Sequence, residues 1–173
     1  MKYLKLTALI FLLLSFFNSS YSEDLYFVNM QKILNNSKAG SAAQESLKKE
    51  FAAQTKKFKG ESAALKKQET ELISQKKSLS PEEYKKKVSA LRKKNIDFQT
   101  RRRNASNDFL KKKTNARNKL IKAINPILQK YMSENNVMMI INEKNVILAN
   151  SKRDLTQTVI DLLNKELKSI KLN

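Results

Sequence analysis

Apolar residues recur every seven positions through the middle of the chain. Phe51, Phe58, Leu65, Leu72 and Leu79 form one such series, and Tyr84, Leu91, Phe98 and Ala105 form a second. A seven-residue apolar period marks a helix whose stripe faces another helix. One turn signal separates the two series. In Ser80-Pro81-Glu82-Glu83, serine takes the N-cap and proline the first helical position. Glu83 stands at the capping-box spacing, and Leu79 and Tyr84 hold the two places of a hydrophobic staple. The pattern predicts two antiparallel helices over residues 41–125. The first, about 41–79, would be roughly 58 Å long. The remaining chain is too small to surround such a hairpin, so it must project as an arm. Its second seam is polar: Gln54, Glu61, Gln68 and Gln75 on the first helix, Asn95 and Arg102 on the second. These are either ordinary surface positions or the mark of a wet pairing that can flex and splay. Gly60 adds softness, at a cost of about 1 kcal/mol relative to alanine.

The two ends of the chain carry a different pattern. Leu25-Tyr26-Phe27-Val28 reads as a short strand, residues 137–141 as a fully apolar second strand, and 146–149 as a third. A turn at 142–145 would join the last two. Asp154 or Thr156 caps a final helix with Leu155, Val159, Ile160, Leu162, Leu163 and Leu167 on its apolar side. Pro126 marks a break or kink, after which Ile127, Leu128 and Tyr131 continue an apolar helix face. The expected class is therefore α+β. A long helical hairpin projects from a small β-sheet or barrel body made of residues 23–40 and 126–173. Three short strands leave open edges and bury little alone. Closure by several copies would complete the body, with Leu25, Phe27, Val137, Met139, Ile141 and Ile147 at its centre. The alternative is a monomer with the hairpin folded back on the sheet. The polar seam and the charge of the arm argue against that.

Residues 1–22 read as an export signal cleaved near Ser22. Lys2 and Lys5 precede an apolar run that is short for a membrane span, and Ser20 and Ser22 are the small residues before a cut. An uncleaved anchor is the competing reading. The chain has no cysteine, so stability in an oxidising compartment would come without disulfides.

Charge sharpens the picture of the arm. Residues 41–125 contain 24 basic and 9 acidic residues, a net +15 out of +19 for the whole sequence. Four clusters lie on the second helix: Lys85, Lys86 and Lys87; Arg92, Lys93 and Lys94; Arg101, Arg102 and Arg103; Lys111, Lys112 and Lys113. A charge run is often a solvated face and nothing more. A bias this large and localised also attracts anionic partners over distance. Nucleic acid, an anionic membrane or lipopolysaccharide surface, and acidic polypeptide all fit, and export argues against the first. Catalysis has little support. Histidine and cysteine are absent, the only glycines are Gly40 and Gly60, and no paired carboxylate or metal-ligand spacing stands out. No cofactor is expected.

The order of leader, strand, basic hairpin, apolar strand pair and terminal helix resembles the Skp/OmpH family of periplasmic chaperones. Val28-Asn29-Met30, Asn145-Val146 and Asp154-Leu155-Thr156 are the local matches, spread across the whole mature chain. Asn142 departs from the acidic residue expected in the family's strand turn. The resemblance implies a homotrimer whose helical tentacles enclose a cavity. It implies an ATP-independent holdase in the periplasm that keeps unfolded outer-membrane proteins soluble, with lipopolysaccharide or anionic lipid as a further partner. A structural or nucleic-acid-binding coiled coil is the rival, and an envelope spacer a third reading. Retention in the cytoplasm would favour the rival.

Overall fold

The computed structural model describes residues 24–172, and the expected leader at 1–22 lies outside them. Strand β1 (Asp24–Val28) leads through the short helix α1 (Met30–Asn36) into α2 (Lys38–Ser74). A 3-10 turn (Gln75–Lys77) and a tight loop then reverse the chain into α3 (Pro81–Glu134). Strand β2 (Val137–Asn142), two further 3-10 turns (Glu143–Asn145 and Ser151–Arg153) and helix α4 (Thr156–Glu166) complete the chain.

Local chemistry sets each boundary. Asn29 caps α1 by accepting from the Lys32 amide at 2.7 Å, and Ser37 caps α2 by accepting from the Gly40 amide at 3.2 Å. Ser80 and Glu83 form the reciprocal capping box at the start of α3, with Pro81 at its first position. Past the end of α3, Asn136 takes φ 52, the left-handed conformation that asparagine tolerates better than most residues. The corner between α1 and α2 closes on Gly40. A Cβ there would lie 1.9 Å from the Leu34 carbonyl oxygen, so only glycine fits.

β1 and β2 pair in parallel, with Leu25 opposite Met139 and Phe27 opposite Ile141. Parallel strands need a long crossover. Here the crossover is the entire helical arm, so both its helices leave and re-enter the body at one place. On the other side of β1, the Leu155 amide donates to the Phe27 carbonyl at 2.9 Å. Under the sheet, Val28, Ile33, Ile124, Ile127, Leu155, Val159, Ile160 and Leu163 form the core, with Tyr26, Tyr131 and Ile140 packed against it. Full burial of one such aliphatic side chain contributes about 1.5–3 kcal/mol. Thr156 is buried and accepts from the Asn29 amide at 2.8 Å, tying α4 to the end of β1. Asn29 also donates through its side chain to Glu143. Arg153 pairs with Asp24 at 2.8 Å and lies 5.0 Å over the Tyr26 ring.

Three expectations change. The third strand at 146–149 is not formed. Two strands make the sheet, and Ile147 and Leu148 are almost wholly exposed. Two 3-10 turns, capped by the Asn142 and Asn150 side chains, bracket the segment, and it does not pair with the free edge of β2. Of the two readings of Pro126, break or kink, the break is excluded, because α3 runs through it to Glu134. A helix tolerates the lost hydrogen bond when packing on both sides holds it. Ile124 and Ile127, both buried, supply that packing. Finally, α2 starts at Lys38 and gives way to a 3-10 turn after Ser74, several residues before the expected end. Of the expected body residues, Phe27 and Val137 are buried and Ile141 is half-buried. Leu25 and Met139 are half exposed, and Ile147 projects fully from the chain.

The arm as candidate binding face

Leu72 and Phe98 are buried between α2 and α3, while Phe58, Leu65, Leu79, Tyr84, Leu91 and Ala105 are half-buried. The heptad seam is real and thin. Two aromatic contacts reinforce it: Phe58 with Phe98, edge on at 6.0 Å, and Phe51 with Phe109 at 5.2 Å. Toward the body the seam becomes denser, where Ala43, Leu47, Ala116 and Leu120 are buried.

The polar row beside this seam is engaged across the hairpin. Lys87 donates to Gln75 at 3.2 Å and Lys94 to Gln68 at 3.0 Å. Arg101 pairs with Glu61 at 2.8 Å and, on its own helix, with Asp97 at 2.8 Å. Lys112 pairs with Glu50 at 2.6 Å, and Gln54 donates to the same carboxylate at 3.4 Å. Each basic cluster on α3 therefore turns one cation inward to α2. The other eight cations, Lys85, Lys86, Arg92, Lys93, Arg102, Arg103, Lys111 and Lys113, are exposed.

On the opposite flank of the seam lies a cleft of about 1620 Å³ between the two helices. Phe51, Phe58, Ile73, Val88, Ile96 and Phe109 supply its apolar surface. Several of these side chains stand open to solvent: Phe51 is 56% exposed, Ile73 61% and Ile96 60%. Lys59, Lys66, Arg92, Arg102 and Arg103 edge it, and Glu69 is the single carboxylate among its lining residues. Large apolar groups are thus left in water and framed by cations, an arrangement chemically complementary to apolar segments of net negative charge. Three predicted cations, Arg92, Arg102 and Arg103, line this cleft. Lys85, Lys86, Lys93, Lys111 and Lys113 lie outside it, and Lys87, Lys94, Arg101 and Lys112 belong to the cross-hairpin row. Sequence reasoning missed Ile73, Val88 and Ile96. Their signal was available as apolar residues off the seven-residue stripe, which a helix with a single buried seam does not require.

At the tip, hydrogen bonds from the Ser80 side chain and backbone hold the Glu83 carboxyl below the usual glutamate range. Among the described residues, no helix is long and apolar enough to cross a membrane.

A sequence profile for outer membrane proteins (OmpH-like) matches residues 24–163 of this chain. No curated protein matches it. Among solved structures, a crystal structure from Caulobacter crescentus CB15 has the same fold, with a TM-score of 0.78 at 18% identity. The match covers 85% of this chain and 87% of that one, which is described as a candidate outer membrane chaperone (OmpH-like).

Proposed function

We propose, from the premise that this chain belongs to the OmpH-like outer membrane protein family, that it is a holdase chaperone. It would work in the periplasm without ATP, holding unfolded outer-membrane proteins in solution between basic helical arms. One observation carries the reading: a projecting arm leaves a row of aromatic and aliphatic side chains in water and rims it with cations. A surface of that kind is a liability unless something covers it. Unfolded barrel proteins with net negative charge offer both apolar side chains and the complementary charge. A purely structural or nucleic-acid-binding coiled coil has no need of the apolar cleft.

Capture proceeds in two steps. The exposed cations raise the association rate with anionic guests. The cleft then covers apolar guest segments through many weak contacts, with lysine and arginine stems adding apolar area. Three copies joined through their bodies would bring three clefts around one guest. Leu25, Met139, Ile147 and Leu148 support this, because each is an apolar side chain left exposed in the single chain. Anionic lipid or lipopolysaccharide would meet the same free cations.

The test is direct. A urea-unfolded β-barrel membrane protein is diluted into buffer with and without the purified mature chain, in the absence of nucleotide. Light scattering should fall to near baseline, and a soluble complex should elute with both components. Unchanged aggregation would remove the holdase reading.

A further inference from the structure

The apolar seam of the arm is thin along most of its length. Between Phe51 and Ala105 only Leu72 and Phe98 are buried. Yet the two helices make polar contacts at regular steps. From Gln75 to Gln68 to Glu61, each seven-residue step back along α2 meets a seven-residue step forward along α3, from Lys87 to Lys94 to Arg101. The next contact, Glu50 with Lys112, keeps the same register eleven residues further on both helices. Seven residues span about 10.5 Å of helix and eleven about 16.5 Å, so the four contacts form a ladder in one constant register. None of its eight residues lines the cleft. At about 100° per residue, Glu61 and Gln68 lie on one side of Leu65, whereas Ser62 and Glu69, which line the cleft, lie on the other.

From this geometry we infer that the ladder is the closed edge of a one-sided receptor, and that Glu50, Glu61, Arg101 and Lys112 are positioning residues for guest holding. The ladder ties the helices along one edge, and the cleft opens along the other. Its contacts set the spacing at which Phe51, Ile73, Val88 and Ile96 face a guest. The inference rests on the chaperone reading for its consequence and on the cross-hairpin contacts for its cause. It also divides each basic cluster by role. One cation per cluster holds the arm together, and the others remain to attract guests. An isolated exposed ion pair contributes little. Several contacts in one row act together, because each holds the same two helices at the same separation.

Two double variants with opposite charge changes make the test. Glu50→Gln with Glu61→Gln makes the arm more positive by two, and Arg101→Gln with Lys112→Gln makes it less positive by two. The chain has no native cysteine, so Ser62→Cys and Thr100→Cys allow spin labels on the two walls of the cleft. Labelled chains are diluted with unlabelled ones, and the distance distribution is measured by pulsed electron resonance without guest. Both double variants should broaden and shift the distribution in the same way, with helix content unchanged by circular dichroism. Both should also shorten the lifetime of the complex with an unfolded barrel protein, by about 2- to 10-fold. Lifetimes that move in opposite directions would show that charge alone matters and would overturn the proposal, as would an unchanged distribution. If the unaltered protein bound no guest, the chaperone reading would fail, and the distance measurement would still judge the ladder.

Discussion

Gly40 and Gly60 stand in the same helix but in different surroundings. A Cβ at Gly40 would run into the Leu34 carbonyl, whereas a Cβ at Gly60 meets nothing within 4 Å. Gly40→Ala should therefore destabilise the body by about 1–3 kcal/mol or more. Gly60→Ala should stabilise the arm by about 0.5–1 kcal/mol. Urea unfolding of the two variants checks the pair, and equal effects would contradict the packing described at the α1–α2 corner. Leu163 is fully buried in the core under the sheet, so Leu163→Ala should cost about 2–5 kcal/mol in the same assay. At the tip, Glu83 titrates below its ordinary range because Ser80 donates to its ionised form. A carboxyl with a depressed folded-state pKa stabilises the fold above its unfolded value. That contribution is lost as the pH falls through the folded value. Amide exchange at residues 80–84 should thus accelerate only in acid below the usual glutamate range, and Glu83→Gln should remove that pH dependence.

At the level of elements, the arm was legible and the body only partly so. A heptad period, a capping box and a proline at the first helical position are local signals that tertiary packing did not need to override. The same was true of the strands at Asp24–Val28 and Val137–Asn142 and of the last helix. Local pattern failed where a distant partner decides the outcome. The segment 146–149 has strand composition but lies between two asparagine-capped 3-10 turns and does not pair with β2. Pro126 has the chemistry of a helix breaker, yet packing at Ile124 and Ile127 carries the helix past it. The polar row at Glu61, Gln68 and Gln75 reads in the sequence either as ordinary surface or as an edge that can splay, and its cross-hairpin partners do not show there because they lie 12 to 40 residues away. The cations divide for the same reason, since which member of a cluster faces α2 depends on helix pairing. Arg102 and Arg103 line the cleft, whereas Arg101 is in the ladder. Arg102→Gln with Arg103→Gln should slow guest capture and flatten its salt dependence while leaving the cross-cleft distance unchanged. Stopped-flow association over a salt series reads this directly, and capture by the unaltered protein that ignores salt would contradict the electrostatic step.

At the scale of the whole molecule, the proposed function gives arm and body separate duties. The arm is the connection between two parallel strands, so assembly and capture can be tested apart. Ile147 is fully exposed in the single chain. If its segment closes the body against other copies, Ile147→Asp should release monomers in sedimentation while the helical signal of the arm persists. A trimer that survived this change would mean that the segment lies outside the interface. The central claim is that unfolded barrel proteins lie along the cleft side of the arm. Site-specific photo-crosslinking tests it most directly, with a photoreactive residue placed in turn at Ile73 and Ile96 in the cleft and at Ala64 on the exposed outer side of α2. With a saturating unfolded β-barrel guest, Ile73 and Ile96 should give strong crosslinks and Ala64 little. Equal crosslinking from all three positions, or crosslinks from Ala64 alone, would contradict the account.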